Sequence, residues 1–428
     1  MKISNFFLPT LKQTPSDAQI TSHKLMLRSG MIRQESAGIY TWLPLGLRVL
    51  KKIENIIRRE HNEAGISEIL MPTIQSADIW KESGRYEDYG KEMLRIQDRN
   101  KREMLYGPTN EEMVTAIVRS YVKSYKDLPI NLYHIQWKFR DEIRPRFGVM
   151  RCREFLMKDA YSFDLNYEAA KASYQRMFEL YLKIFSKLQL KTIPVQADPG
   201  AIGGDLSHEF HILCDVGESV IYYDSDFDDI DHSKKESSSR LLKIYAADEG
   251  KHNSKECSVP KERLKTAKGI EVGHIFYFGK KYSEPMKLVV DSNKGSPVTV
   301  EMGSYGIGVS RLPAAIIEVN HDDAGIVWPE NVSPFQIGLI NLDPSDKKVT
   351  KMADSIYGKL QERKIEVLYD DSEQRAGVKF ANMDLIGLPW QLIVGKKTLS
   401  NNNVELKRRS ESQKQELSLD SALDVISK

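Results

Sequence analysis

The chain has 428 residues, 41% of them hydrophobic and 29% charged, with a formal net charge of +2. That length can bury a real core in two or three domains, and the near-neutral total sends any search for a polyanion partner to local clusters. Three widely spaced cysteines, Cys152, Cys214 and Cys257, fit reduced thiols and not a disulfide framework, and "MKISNFFLPTLKQTP" holds no readable signal or transit peptide, so the expected compartment is cytoplasmic.

In chain order, "TPSD" at Thr14 to Asp17 predicts a helix start, a hydroxyl cap followed by proline and an acid, with Gly30 as the stop. A second helix is predicted from Pro44 to Ala64, where Val49, Leu50, Ile53, Ile56 and Ile57 recur on one face. It leads into "ISEILMPTI", an apolar run ending at Pro72, and proline at that point fits a strand end or a sheet edge. "MLYGPTNEEM" reads as a strand, a turn and the start of a helix over 111–125. The apolar stretches "NLYHIQWKF" and "FLMKDAYSF" then flank a basic cluster as the legs of a β-hairpin. Between Lys138 and Lys158 that cluster sets Lys138, Arg140, Arg144, Arg146, Arg151, Arg153 and Lys158 against only Asp141, Glu142 and Glu154. A charge run is ordinarily a solvated face, but here the charges are held on a sheet.

A helix follows from Tyr167 to Leu190, and then the composition changes. "DSDFDDIDH" at 224–232 and the serine-rich stretch after it suggest a surface insertion between two core strands; the glycine and terminal glutamate of a calcium-binding hand are missing. "GIEVGHIFYFG" and "PVTVEMGSYGIGVSRLPAAIIEV" resume order as strands, a glycine-rich turn and a helix. From Pro334 onward, β and α patterns alternate in what reads as a separate mixed α/β domain.

Chemistry converges on three pieces. Arg140 and Arg151 can offer bidentate donors to phosphate oxygens, Phe155 a flat face to a base, and Arg311, opening a helix after "GIGVS", a cation for the base's other face. Neither a "GxxxxGK" loop nor a dinucleotide fingerprint is present, so the sum is a nucleoside triphosphate site of another kind.

The helix and strand ending at Pro72, "FRDE" with Arg151, Phe155 and Asp159, and "GIGVSR" resemble, in this order, the three motifs of the class II aminoacyl-tRNA synthetases. "GPTNEEM", "GGDLSHEF", "GIEVGHIF" and "GIVWP" are similar to the bacterial-type prolyl enzymes in particular. The resemblance implies an α+β fold: a class II core, an antiparallel sheet flanked by helices, followed by a C-terminal mixed α/β anticodon-binding domain. It divides the chain into 1–213 and 266–332 as the two parts of the catalytic domain, 214–265 as a short insertion where many relatives carry an editing domain, and 333–428 as the anticodon-binding domain.

The resemblance also implies roles. Proline would be activated with ATP and Mg2+ and passed to tRNA(Pro), with Arg140 bridging the α-phosphate and the proline carboxylate, Glu142 facing the adenine, Arg151 and Arg311 on the outer phosphates, and Phe155 under the base. Glu301 would hold magnesium, Thr109 and Glu111 the proline ammonium, and His208 the ring; His208 with His211 lacks a third ligand for a metal. Arg144 and Arg146 would reach the acceptor end of the tRNA, Arg375 and Lys379 the RNA in the last domain, and Pro72 would lie at a homodimer interface. Lys407, Arg408 and Arg409 read equally as an RNA contact or a solvated edge strand. Without an editing domain the enzyme would mischarge alanine, since a missing methylene is worth only roughly 1–3 kcal/mol, and would rely on a separate trans-acting editing protein. Threonyl-, seryl- and glycyl-type relatives, and synthetase-like proteins that bind RNA without catalysis, are the rival readings.

Overall fold

The computed structural model describes residues 1–197, 206–232, 234, 237–400, 403–411 and 413–426. Two compact units divide it, one of Ala37–Ile39 and Glu54–Ala315, the other of Met1–Ser36, Tyr40–Ile53 and Ile316–Lys428. The expected catalytic segment 1–213 is therefore cut: most of its first 53 residues belong with the C-terminal unit, where Tyr369 N–H donates to the Met1 carbonyl at 2.8 Å. The helix expected from Thr14 runs Thr21–Arg28 with Ile20 at its cap, whereas Pro44–Glu63 forms as predicted.

The larger unit is built on β1 (Ser67–Glu68), β5 (Ile130–Phe139), β6 (Glu154–Asp164), β7 (Thr192–Gln196), β8 (Leu206–Leu213), β9 (Ser219–Asp224), β10 (Ala246–Asp248), β11 (Leu264–Gly279) and β12 (Glu301–Ile307). These pair in the order β8-β7-β10-β9-β11-β12-β6-β5-β1, and β8 also pairs β11. One half of the long β11 takes β9 and the other takes β8, so five strands close into a ring at that end of the sheet. A smaller sheet, β2 (Ile74–Ser76), β4 (Glu103–Tyr106) and β3 (Arg95–Gln97), precedes α1 (Glu111–Tyr121).

Helix α2 (Tyr167–Lys187) covers one face of the large sheet. Tyr174, Phe178, Tyr181 and Phe185 recur at helical spacing along its buried side, and Asn166 caps its start by accepting from Ala169 N–H at 3.0 Å. The face opposite α2 is left for chemistry.

The expected surface insertion is a structural part of the sheet: β9 and β10 lie inside it, and the aspartates are paired, Asp224 with Arg263 and Asp228 with Lys265 at 2.6 Å. Cations that close already fill the role a calcium ion would take.

In the smaller unit, β13 (Ile337–Asn341), β14 (Val367–Asp370), β15 (Trp390–Val394), β16 (Asn403–Arg408) and β17 (Lys414–Ser418) pair as β14-β13-β15-β16-β17, parallel for the first three and antiparallel thereafter. Helix α3 (Lys347–Glu362) buries Val349, Ala353, Ile356 and Leu360 in its core, and α4 (Ala376–Ile386) ends at Gly387, whose φ of 79° suits glycine at a helix C-terminus.

Candidate active site

Strand alternation decides which side chains share the open face. Lys138 pairs with Phe155, His134 with Asp159, and Tyr161 with Ser304, so all six project to the side away from α2. Arg140 follows β5 directly; its guanidinium lies 5.3 Å from the Phe155 ring centroid and donates through Nε and Nη2 to the Pro108 carbonyl at 3.3 and 3.2 Å. Arg311, just beyond β12, donates to the carbonyls of Met150 at 3.0 Å and Glu271 at 2.7 Å.

The loop Gly107 to Glu111 is held at almost every polar atom. Gln75 donates to the Thr109 carbonyl at 2.9 Å, Asn110 N–H donates to the Tyr161 hydroxyl at 3.2 Å, and Lys138 donates to Asn110 Oδ1. Thr109 Oγ1 donates to Glu111 Oε2 at 2.6 Å, and Ser304 Oγ to Glu111 Oε1 at 3.1 Å. Beneath the loop, Lys138 and Asp159 form a buried ion pair at 2.7 Å with His134 3.3 Å from the same carboxylate. Burial opposes the Asp159 charge, but Lys138 and His134 hold that carboxyl below its usual range. Breaking such a pair costs about 3–5 kcal/mol, which fixes Thr109 and Glu111 firmly.

On the hairpin loop, Arg151 pairs with Glu142 at 2.9 Å and with Glu218 at 2.9 Å, and Arg146 pairs with the other oxygen of Glu218 at 2.6 Å. The Arg151 hydrogen bond draws the Glu142 carboxyl below its usual range. Arg144 is exposed at the tip. Cys152 lies beside this loop, and burial pushes its thiol up to about 12, so it is no nucleophile.

Two expected residues lie elsewhere. His208 pairs with Ile275 in register, faces α2, and shares a 2.6 Å hydrogen bond with the Tyr174 hydroxyl. It is a core histidine, not a wall of the proline slot. Glu301 opens β12 opposite Asp164, six residues before Ile307 at the end near Arg311, and accepts from the Tyr277 hydroxyl at 2.9 Å. A strand rises about 3.3 Å per residue, so Glu301 is some 20 Å from the arginines and cannot hold a metal beside them. Glu142 and Glu218 are already paired with Arg151, whereas Glu271, 3.7 Å from Arg311, joins Glu209 and His274 in setting three potential ligand atoms within 4.8 Å of one another. Burial opposes ionisation of Glu271, but His274 and Arg311 hold it well below its usual range. Two carboxylates suit a hard cation such as magnesium. Both acids occur in "SHEF" and "GIEVGHIF", where only the strand register could single them out. Gly203, Gly204 and Asp205 of "GGDLSHEF" fall outside the described residues.

In the smaller unit, Lys379 is also misassigned as an RNA contact. It is fully buried, and its ammonium donates to the carbonyls of Asn341 at 2.7 Å and Ser372. Arg375 is exposed at the start of α4. Strand β16 is not an edge: Lys407 pairs with Asp384 at 3.0 Å, Arg408 with Glu330 at 3.1 Å, and Arg409 is buried against Asp322 at 2.6 Å.

Residues 94–320 match the family described as the tRNA synthetase class II core domain (G, H, P, S and T), and 336–428 match the anticodon binding domain. A proline–tRNA ligase of Parvibaculum lavamentivorans is 58% identical, covering 100% of both chains. The chain belongs to the proline–tRNA ligases. A ligase of that name from Wolbachia pipientis is 57% identical over the whole of both chains, so this is the short form of the family, without a large inserted domain. Solved structures share the fold: a prolyl-tRNA synthetase of Giardia lamblia in complex with prolyl-adenylate has a TM-score of 0.74 at 19% identity, covering 94% of this chain and 73% of that one. The Cryptosporidium parvum enzyme complexed with L-proline and AMP gives 0.74 at 14%, covering 95% and 74%. As a class II ligase of proline to tRNA, the chain falls outside the threonyl, seryl, glycyl and non-catalytic alternatives. Among the described residues no helix is long and apolar enough to cross a membrane.

Proposed function

We propose that this ligase works in two steps at the open face of the large sheet. The proline carboxylate attacks the α-phosphorus of ATP and pyrophosphate leaves; the hydroxyl of the tRNA 3′-terminal adenosine then attacks the mixed anhydride and AMP leaves. Arg140 neutralises the two anionic groups that must meet, Phe155 carries the adenine, Glu142 meets its amino group, and Arg151 and Arg311 take the outer phosphates. Thr109 and Glu111 receive the ammonium. Glu271 and Glu209, with His274, would hold magnesium, which supplies charge neutralisation at the phosphates when bound. No side-chain nucleophile is required, which suits catalysis by positioning and charge.

The observation that carries this reading is Arg140, stacked against Phe155 while its guanidinium touches the loop that ends in Glu111, so one side chain spans the nucleotide and amino-acid halves. Arg140→Lys keeps a charge but loses the fork; proline-dependent exchange of pyrophosphate into ATP is expected to fall about 10²–10³-fold, the usual loss for one preorganised donor. Exchange within twofold of the parent would overturn the assignment.

The exposed Arg144 and the half-exposed Arg146 support a role at the acceptor end, and Arg375 one in the anticodon-binding domain. The enzyme acts in the cytoplasm as a homodimer through the region of Pro72, which is exposed beside Leu70, itself 75% exposed. Because β9 and β10 complete the sheet, the 214–265 segment leaves no separate domain for editing, so alanine is mischarged and cleared by a trans-acting protein. Hydrolysis of alanyl-tRNA(Pro) by the purified ligase alone would contradict this.

A further inference from the structure

Resting on the reading that Glu111 receives the substrate ammonium, we propose that Arg85 is a positioning residue, shared between Glu111 and Glu112, that passes wholly to Glu112 when proline binds Glu111. A single nitrogen, Nη1, serves both acids, 3.3 Å from Glu111 Oε2 and 3.0 Å from Glu112 Oε1. The guanidinium carbon is 5.0, 5.1 and 5.5 Å from the ring centroids of Trp80, Tyr282 and Tyr89. Those faces let the guanidinium pivot without leaving.

Glu112 is built to receive it. It is fully buried; its Oε1 accepts from Ser83 Oγ at 3.0 Å, and its Oε2 has no hydrogen-bond partner. A fork-to-fork pairing with Arg85 would satisfy that oxygen, whereas the present one-nitrogen sharing does not. Charge counting points the same way when Glu112 is ionised: two carboxylates and one guanidinium leave one negative charge, which a substrate ammonium cancels. Once it binds Glu111, Arg85 gains nothing there and everything at Glu112.

The arrangement makes proline binding sensitive to the proton on Glu112. The charged groups around it are Arg85 and Asp88 from the segment before β3, Lys281 beyond β11, and Glu111 on its own helix, with Tyr89 and Tyr282 closing the box. Burial, with Glu111 adding and Arg85 opposing, pushes Glu112 up to about 7. A protonated Glu112 cannot take Arg85 as an ion pair, so Arg85 stays on Glu111 and competes with the substrate. KM for proline should therefore rise as pH falls from 8 to 6 while KM for ATP does not.

Pyrophosphate exchange by the full-length enzyme, its Glu112→Gln variant and its Arg85→Lys variant across that range tests this. Glu112→Gln is expected to raise KM for proline about tenfold at pH 8, equivalent to about 1.4 kcal/mol, and to abolish its pH dependence with KM for ATP and kcat within about twofold. Arg85→Lys, which keeps the mobile charge, should retain the dependence. A Glu112→Gln enzyme with the parent's KM and slope overturns the proposal, and if that variant does not fold, parallel pH dependence of the two KM values in the parent overturns it instead. Glu111→Gln separates the underlying reading: unchanged proline affinity in that variant would remove Glu111 from the ammonium site whatever Glu112 does.

Discussion

The nearness of Arg140 to Phe155 follows from reading the two apolar stretches as the legs of one hairpin, which sets the two residues at the same end of β5 and β6. Lys379, His208 and Glu301 are misread for one physical reason: a residue type states what chemistry is possible, and only the fold states where it lands, on the inner side of α4 for Lys379, on the α2 face for His208 and at the far end of β12 for Glu301. Lys379 looks like its exposed neighbour Arg375 in the sequence, but four residues into α4 it turns inward, where the Asn341 and Ser372 carbonyls replace its water. Lys379→Met is accordingly expected to lower the unfolding free energy by about 3–5 kcal/mol, since Asp370 and those carbonyls lose their cation, while the folded variant's affinity for tRNA(Pro) stays unchanged. Denaturant titration and filter binding on one preparation decide it; weaker RNA binding at intact stability would restore the RNA role. Arg85 and Glu218 left no signal at all, because nothing short of the fold brings them to Glu111 or to the hairpin arginines.

At the scale of elements, the long periodic segments were readable and the short ones were not. Helices Pro44–Glu63 and α2, the strand before Pro72, the hairpin β5–β6 and the alternation of the last hundred residues follow from hydrophobic period, but β9 and β10 are six and three residues long and acquire their state from partners far away. The polar aspartate run concealed strands whose charges are balanced across the sheet. Beyond β1, which is paired on one side only, Leu70 stands 75% exposed. The proposed homodimer would cover that side chain, so under that proposal Leu70→Asp is expected to yield a monomer by light scattering with the monomer's own stability changed by no more than about 0.5 kcal/mol. A persistent dimer would move the interface elsewhere.

Across the whole chain the imidazoles of His23, His61, His134, His208 and His232 are all lowered, burial being the largest cause in each, and His208 falls to about 4. The unfolded chain takes up protons near pH 6.5 that the folded chain refuses, so the contribution of these histidines to stability is fully present above that value and is lost progressively as pH falls toward 4. His208 alone accounts for about 3 kcal/mol at 1.36 kcal/mol per pH unit, and His208→Gln should flatten the decline in urea midpoint between pH 6.5 and 4.5. An equally steep decline in that variant would assign the acid sensitivity to other groups. The closure of β8 onto β11 bears on assembly as well. A nine-stranded sheet ordinarily has two open borders, and a molecule with two can add copies without end. Here the ring consumes one border, so among the described strands of this sheet only β1 keeps an unpaired edge, and edge-to-edge pairing along this sheet would stop at two copies.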